Sequence, residues 1–495
     1  MLDEYRQRFR AFHTHWQREQ YLFRAGRQAH PERAYLYHEN SDLFTNTALA
    51  ELQAKHDDTA AYRATERAAI QRLLAFARAG QLARRTLELT EELTAYEARP
   101  LIEWENQRLT IDQAEAWLAR ETEPARRREL AARRAGAIQD VQDLRAERLA
   151  KWQAGAQGFG FEHLLAMHAA AHALNGEKLT SQAAQLLSKT ESRFVAVLKP
   201  LLVREANVSL DEAGQADLGA LPQLARFVPY FAVERAGEIY AELFAGLGFK
   251  VEQQTHVEWD AAARPGKQER AFCAPIQIPD EVKLVSHPQR SGSGFYRDFL
   301  RAAGQAQFNA WTSPALPYEF RVPGDAALAE AWGALFANLL FDAEFLLGNF
   351  GFPNSGEFRH ALAVWRLLCM RQAAALWQYE SELYSDKLRR NAGARFVELL
   401  ADGARVRYDA ADCLRAVETP FRSAALLRGW AFEAQLREHL KTHFGTRWWA
   451  SRKAGEMLID LWNTGHRYTV EELAALIGLG ELDFAWLSSE LLETL

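Results

Sequence analysis

Apolar residues recur every three or four positions from Leu2 to about Gly248, with Gly and Pro falling mainly between the periodic segments. That spacing predicts a long run of helices. "TIDQAEAWLA", from Thr110, opens with a capping-box pattern of Thr110 and Gln113, and "TVEELAALIGLG" repeats the device with Thr469 and Glu472. The pattern changes between Phe249 and Pro288. "FKVEQQTHVEW", "RAFCAPIQI" and "EVKLVSH" alternate apolar and polar positions and are separated by Pro and Gly, which predicts a small sheet of about three strands. Helical periodicity resumes at Gly294 and runs, with breaks, to the end. The chain therefore divides into an N-terminal helical part, 1–248, and a second part, 249–495. The second part holds the sheet segment 249–288, a helical region 294–345 and C-terminal helices over 355–495. No fixed-period repeat is present, which excludes a solenoid.

At 495 residues the chain is long for one core, and 48% hydrophobic residues are ample for a folded interior. A net charge of −6 gives no basic footprint for nucleic acid. The arginine-dense stretch "ARRRELAARRAG", Ala125 to Gly136, has helical spacing and acidic neighbours, and reads as a solvated helix face. An anionic partner is its alternative. No apolar run is long enough to span a membrane, and the charged start "MLDEYRQRFRAFHTHWQREQYLF" lacks the apolar core of a signal peptide. Cys273, Cys369 and Cys413 are scattered, with no CxxC, so reduced thiols and a cytoplasmic location are expected.

The densest chemistry lies at "YRDFLRAAGQAQFNAWTSPALPYEFRVPGDAALAEAWGALFANLLFD", Tyr296 to Asp342. A zinc peptidase of the H-E-x-x-H type sets two imidazoles four residues apart on one helix, where they share a face and a metal. The Glu beside the first His polarises a metal-bound water, and a third ligand comes from another element. The frame here resembles the oligoendopeptidase F and thimet oligopeptidase family of zinc metallopeptidases. In that family strands lead into a helix reading H-E-A-G-H-A, followed by T-S-P, an aromatic–Glu–aromatic stretch, G-D and a Glu ligand on the next helix. The resemblance extends back into "LPQLARFVPYFAVERAGEIYAELFAGLGF" and forward through "LLRGWAFEAQLREHLKTHFGTRWWASRKAGEMLIDLWNTG". It implies a mainly α, bowl-shaped metallopeptidase-like fold with a deep central channel and one small β-sheet.

The resemblance also implies which positions carry the metal, and there the chain departs from it. Arg301 stands at the first His, Ala302 at the general-base Glu and Gln305 at the second His; only Glu330 matches a ligand. Arginine keeps its proton and offers no lone pair, alanine takes no proton from water, and a glutamine oxygen is a poor zinc donor. The segment matching the family's oxyanion-stabilising tyrosines and histidine, "ETPFRSAALLRGW" from Glu418 to Trp430, contains neither residue. Losing one oxyanion donor alone costs on the order of 10²–10³ in rate. Zinc is therefore expected to be absent, and no cofactor is expected. Arg301 is expected to point into the vacated position and pair with Glu330, which otherwise lies in a cleft without its cation. The alternative sends Arg301 to solvent.

Other constellations are weaker. His168 and His172, four apart in "EHLLAMHAAAH", have a metal-binding spacing but no third ligand, and read first as an ordinary helical pair. His287 ends the last strand and is a candidate for the cleft, or a structural histidine. His13 and His15 face different sides of a helix. "SGSG", Ser291 to Gly294, lacks the rest of a phosphate-binding loop and reads as a cleft-rim loop. "FGTRWWASRKAG" reads as tryptophans packing a core, with nucleic-acid stacking the alternative. No Ser-His-Asp or Cys-His set is arguable.

The functional expectation is a catalytically inactive homologue of oligopeptide-cleaving metallopeptidases. It would bind an oligopeptide or a protein partner, such as an active relative, and neither nucleic acid nor membrane. The competing expectations are an enzyme with altered chemistry built on Glu330, and a peptidase with its metal moved to His168 and His172.

Overall fold

The computed structural model describes residues 2–287, 291–388 and 391–495. The stretch 288–290, where the predicted sheet segment ends, lies outside the described residues. The chain forms two compact units, each assembled from three segments. The first takes Met1–Arg84, Val228–Pro353 and Arg428–Leu482; the second takes Arg85–Phe227, Asn354–Leu427 and Asp483–Leu495. Position 248, where the sequence pattern divides the chain, falls inside the first unit.

The first unit contains the three-stranded sheet. Val257–Asp260 pairs in parallel with Glu281–Val285, which in turn pairs antiparallel with Phe272–Gln277. Alternation sorts the Phe272–Gln277 strand between two helices. Phe272, Ala274 and Ile276 pack with Tyr21 of the helix Leu2–Arg24 and with Ala25 directly after it. Cys273 points the other way, within 3.9 Å of the amide of Asn309 on the helix Ser293–Ala310. Gly292, directly before that helix, has φ +112°, a conformation open mainly to glycine, which explains the glycine in "SGSG". Trp448 and Trp449 are buried in this unit, as core tryptophans.

The second unit is held by long helices, Gly176–Ala206, Gly356–Tyr384 and Ala392–Ala404. Their common tie is the buried Arg371. It donates to Gly403 O at 2.8 Å, Leu187 O at 2.6 Å, Thr190 Oγ1 at 2.7 Å and Glu191 Oε2 at 2.6 Å.

Two expectations are corrected here. The fold has a second small sheet, a hairpin of Ile102–Trp104 and Gln107–Leu109. Its two-residue turn puts Glu105 at φ +48° and Asn106 at φ +62°, the geometry that matches strand twist, without the glycine that usually announces it. The arginine-dense helix Pro124–Gln139 is not simply a solvated face. Arg127 and Arg134 are buried, the first on Asp217 at 2.7 Å and the second on both oxygens of Asp412 at 3.0 and 3.1 Å. Among the described residues no single helix is long and apolar enough to cross a membrane.

Candidate functional site

The helix Ser293–Ala310 carries Arg301, Ala302 and Gln305, and the helix Ala326–Ala337 carries Glu330. Glycines set how closely these helices cross. A Cβ on Gly304 would lie 2.6 Å from Phe336 Cδ2 and closer still to the Trp332 carbonyl oxygen. A Cβ on Gly333 would lie 2.6 Å from Arg301 Cγ. With backbone nearly against backbone, side chains one turn apart on the first helix reach the second.

Arg301 uses that reach to pair with Glu330 through Nη2 and Oε2. The Arg301 side chain is 33% exposed and that of Glu330 15%, so the carboxylate is the more enclosed partner. One turn on, Gln305 donates its amide to the Ala329 carbonyl at 3.0 Å. Ala302 is buried. The four positions are therefore brought together, as a cation, a methyl group and an amide around one carboxylate.

Glu330 itself is held in place. Asp325 caps its helix, accepting from Ala327 N at 3.1 Å, and takes both Arg428 guanidinium nitrogens at 3.0 and 2.7 Å. Arg428 also donates to Glu471 at 2.7 and 2.6 Å. Two carboxylates around it push the Arg428 pKa up despite burial. This clamp is not visible in the sequence, although "GD" and "RGW" both belong to the stretches that resemble the family. Nothing in local spacing relates Arg428 to Asp325.

The donor set does not fit zinc. A permanent cation occupies one ligand position and already spends its charge on the remaining carboxylate, while Gln305 turns its amide to a main-chain carbonyl. Among the described residues no group of three or more His, Cys, Asp or Glu side chains is placed to hold a metal ion. His168 and His172 lie on the helix Leu164–His172 of the second unit, ring centroids 4.5 Å apart, and belong to no group of three or more metal-ligating side chains among the described residues. The His168 ring stacks on Phe421 at 3.8 Å. His287 is half-buried just after the strand Glu281–Val285. His13 lies 3.2 Å from the Tyr318 hydroxyl.

No protein-family model matches the chain, and no curated protein matches it in sequence. Solved structures do match in shape. A protein provisionally named oligoendopeptidase F superposes with a TM-score of 0.68 at 16% identity, over 93% of this chain and 86% of that one. A similarly named protein from Bacillus anthracis str. Ames gives 0.61 at 14% identity, over 92% and 80%. Metallocarboxypeptidase 1 of Trypanosoma cruzi gives 0.60 at 12% identity, over 99% of both chains. The fold is a metallopeptidase fold. At these identities the likeness speaks to the fold and leaves the chemistry to the residues.

Proposed function

We propose that the chain is a catalytically inactive relative of oligopeptide-cleaving zinc metallopeptidases, kept for binding a peptide or for partnering an active relative. One observation carries the reading: in a metallopeptidase fold, the helix position expected to present the first zinc ligand presents Arg301, and that arginine is paired with Glu330. An attacking water then has neither a metal to lower its pKa nor a base beside it, since Ala302 bears only a methyl group. The three free cysteines agree with a cytoplasmic setting, and the acidic balance argues against a nucleic-acid partner.

The test is reconstruction. The triple variant Arg301→His, Ala302→Glu and Gln305→His is expected to gain stoichiometric zinc, measured by equilibrium dialysis, while the parent chain gains none. Quenched fluorescent oligopeptides are expected to remain uncut by the parent chain, with or without chelator. Zinc retained by the parent chain and lost on Glu330→Gln, or chelator-sensitive cleavage, would sink the reading. Chelator-insensitive cleavage abolished by Glu330→Gln would establish altered chemistry instead.

A further inference from the structure

The first unit carries a histidine pair outside the Arg301–Glu330 site. His439 and His443 lie four residues apart near the end of the helix Arg422–Phe444. At that spacing two side chains share one helix face, a turn from each other. Their rings lie against each other, with centroids 4.0 Å apart and planes inclined at 28°. His443 is exposed and His439 half-buried, so the pair reaches solvent.

An imidazole is a metal ligand only where a lone pair is free, and a hydrogen bond settles which nitrogen of His443 keeps one. Its Nδ1 lies 2.8 Å from the His439 carbonyl oxygen. A carbonyl only accepts, so in the neutral ring Nδ1 carries the hydrogen and Nε2 keeps the lone pair. Metal-ligating histidines are oriented in this way, the second nitrogen donating to a carboxylate or a main-chain carbonyl. His168 and His172 are arranged differently. Their rings are inclined at 43°, and His168 lies flat on Phe421.

Geometry and charge both favour a cation between these rings. Two metal–nitrogen bonds of about 2.0–2.1 Å bring their nitrogens to about 3 Å, so rings 4.0 Å apart need shift by only about 1 Å. His443 also lies in the last turn of its helix, where the macrodipole places about half a negative charge. Imidazole suits copper, nickel and zinc, and affinity peaks at Cu²⁺. We propose that His439 and His443 bind one divalent first-row transition-metal ion, Cu²⁺ most tightly. The pair belongs to no group of three or more metal-ligating side chains among the described residues, so water completes the ion's shell. Zinc on two imidazoles is too weakly held to survive the dialysis that tests the Arg301 position. His439 lies about 16 Å along the helix from Arg428, and the two sites share no residue.

The experiment is calorimetric titration of the untagged full chain with NiCl₂ and, separately, CuCl₂. One Ni²⁺ per chain is expected, with a dissociation constant of about 10–100 µM, and Cu²⁺ at least about tenfold tighter. His439→Ala and His443→Ala should each weaken Ni²⁺ at least about tenfold, with the circular dichroism melt unchanged. The exchange Thr442→His with His443→Thr keeps the number of histidines but turns one imidazole about 100° away, and should weaken binding as much. His168→Ala and Glu330→Gln should leave it unchanged. No Ni²⁺ binding, or binding that survives His443→Ala or the exchange, would overturn the proposal. A loss on His168→Ala would overturn it in favour of the other pair. A loss confined to Glu330→Gln would overturn it and the inactive-peptidase reading together, whereas that reading stands if Ni²⁺ simply fails to bind.

Discussion

Arg301 and Glu330 form a pair whose members are unequally placed, and that asymmetry decides what each contributes. Arg301, one-third exposed, regains water readily when its partner is removed; the more enclosed Glu330 does not. Arg301→Ala is therefore expected to destabilise by about 1–2 kcal/mol and Glu330→Gln by less, with a coupling energy of about 1 kcal/mol or below. Urea denaturation of the two single variants and the double variant measures this. Equal single costs would mean that Glu330 is solvated as freely as Arg301. The pair was legible in the sequence because the resemblance to the oligoendopeptidase F family matched Arg301 to the first His and Glu330 to the third ligand of one site. The stacking of His168 on Phe421 was not. It depends on Phe421 adopting φ +62°, a conformation that nothing in "ETPFRS" announces.

Helices in this chain are set by their ends and by how closely they cross. Both predicted capping boxes are formed. Gln113 N donates to Thr110 Oγ1 at 3.2 Å and Glu472 N to Thr469 Oγ1 at 3.3 Å, with the return bonds from Thr110 N and Thr469 N at 2.9 and 2.8 Å. Thr469→Ala should cost about 1 kcal/mol. Gly304→Ala should cost more, about 3 kcal/mol, because the new methyl group meets the Trp332 carbonyl and no flexible side chain can yield there. Urea midpoints compare the two directly; a Gly304→Ala variant as stable as the parent would mean that the helices separate at little cost. Caps are local chemistry and so were readable. The burial of Arg127 and Arg134 was not, since their partners Asp217 and Asp412 lie far along the chain. The hairpin escaped because its strands are three residues each and its turn lacks glycine.

For the molecule as a whole, two buried groups in different units set the pH dependence with opposite sign. Helix content and the small sheet were legible from periodicity, but which segments share a unit was not, because each unit draws on three separated stretches. His466, in the first unit, is 2% exposed, and burial followed by the Arg72 charge pushes its pKa from 6.5 to about 3. The unfolded chain takes up a proton below 6.5 that the folded chain refuses, so stability rises with pH from about 3 to 6.5. Glu380, in the second unit, is fully buried, and burial raises its pKa from 4.5 to about 8 although Ser423 and the Phe421 amide donate to it. The folded chain keeps a proton there that the unfolded chain releases, so stability falls as pH rises from 4.5 to about 8. Between 4.5 and 6.5 the Glu380 fall opposes the His466 rise, which is joined by that of His13, whose burial lowers its pKa from 6.5 to about 4. Stability is therefore expected to climb there more gently than the two histidines alone would give. Between 6.5 and 8 only Glu380 acts, and the loss should reach about 2 kcal/mol. Glu380→Gln keeps an acceptor for Phe421 N and offers Ser423 Oγ an amide donor in place of an acceptor. It should flatten the alkaline fall, steepen the rise between pH 4.5 and 6.5 and leave the slope below 4.5 unchanged. Urea midpoints at pH 4, 5.5, 7 and 8 test this, and a parent chain as stable at pH 8 as at 5.5 would show that Glu380 is already ionised when folded. Should the two units unfold in separate steps, the acid slope must follow the transition of the first and the alkaline slope that of the second, because each titrating group reports only on the unit that buries it.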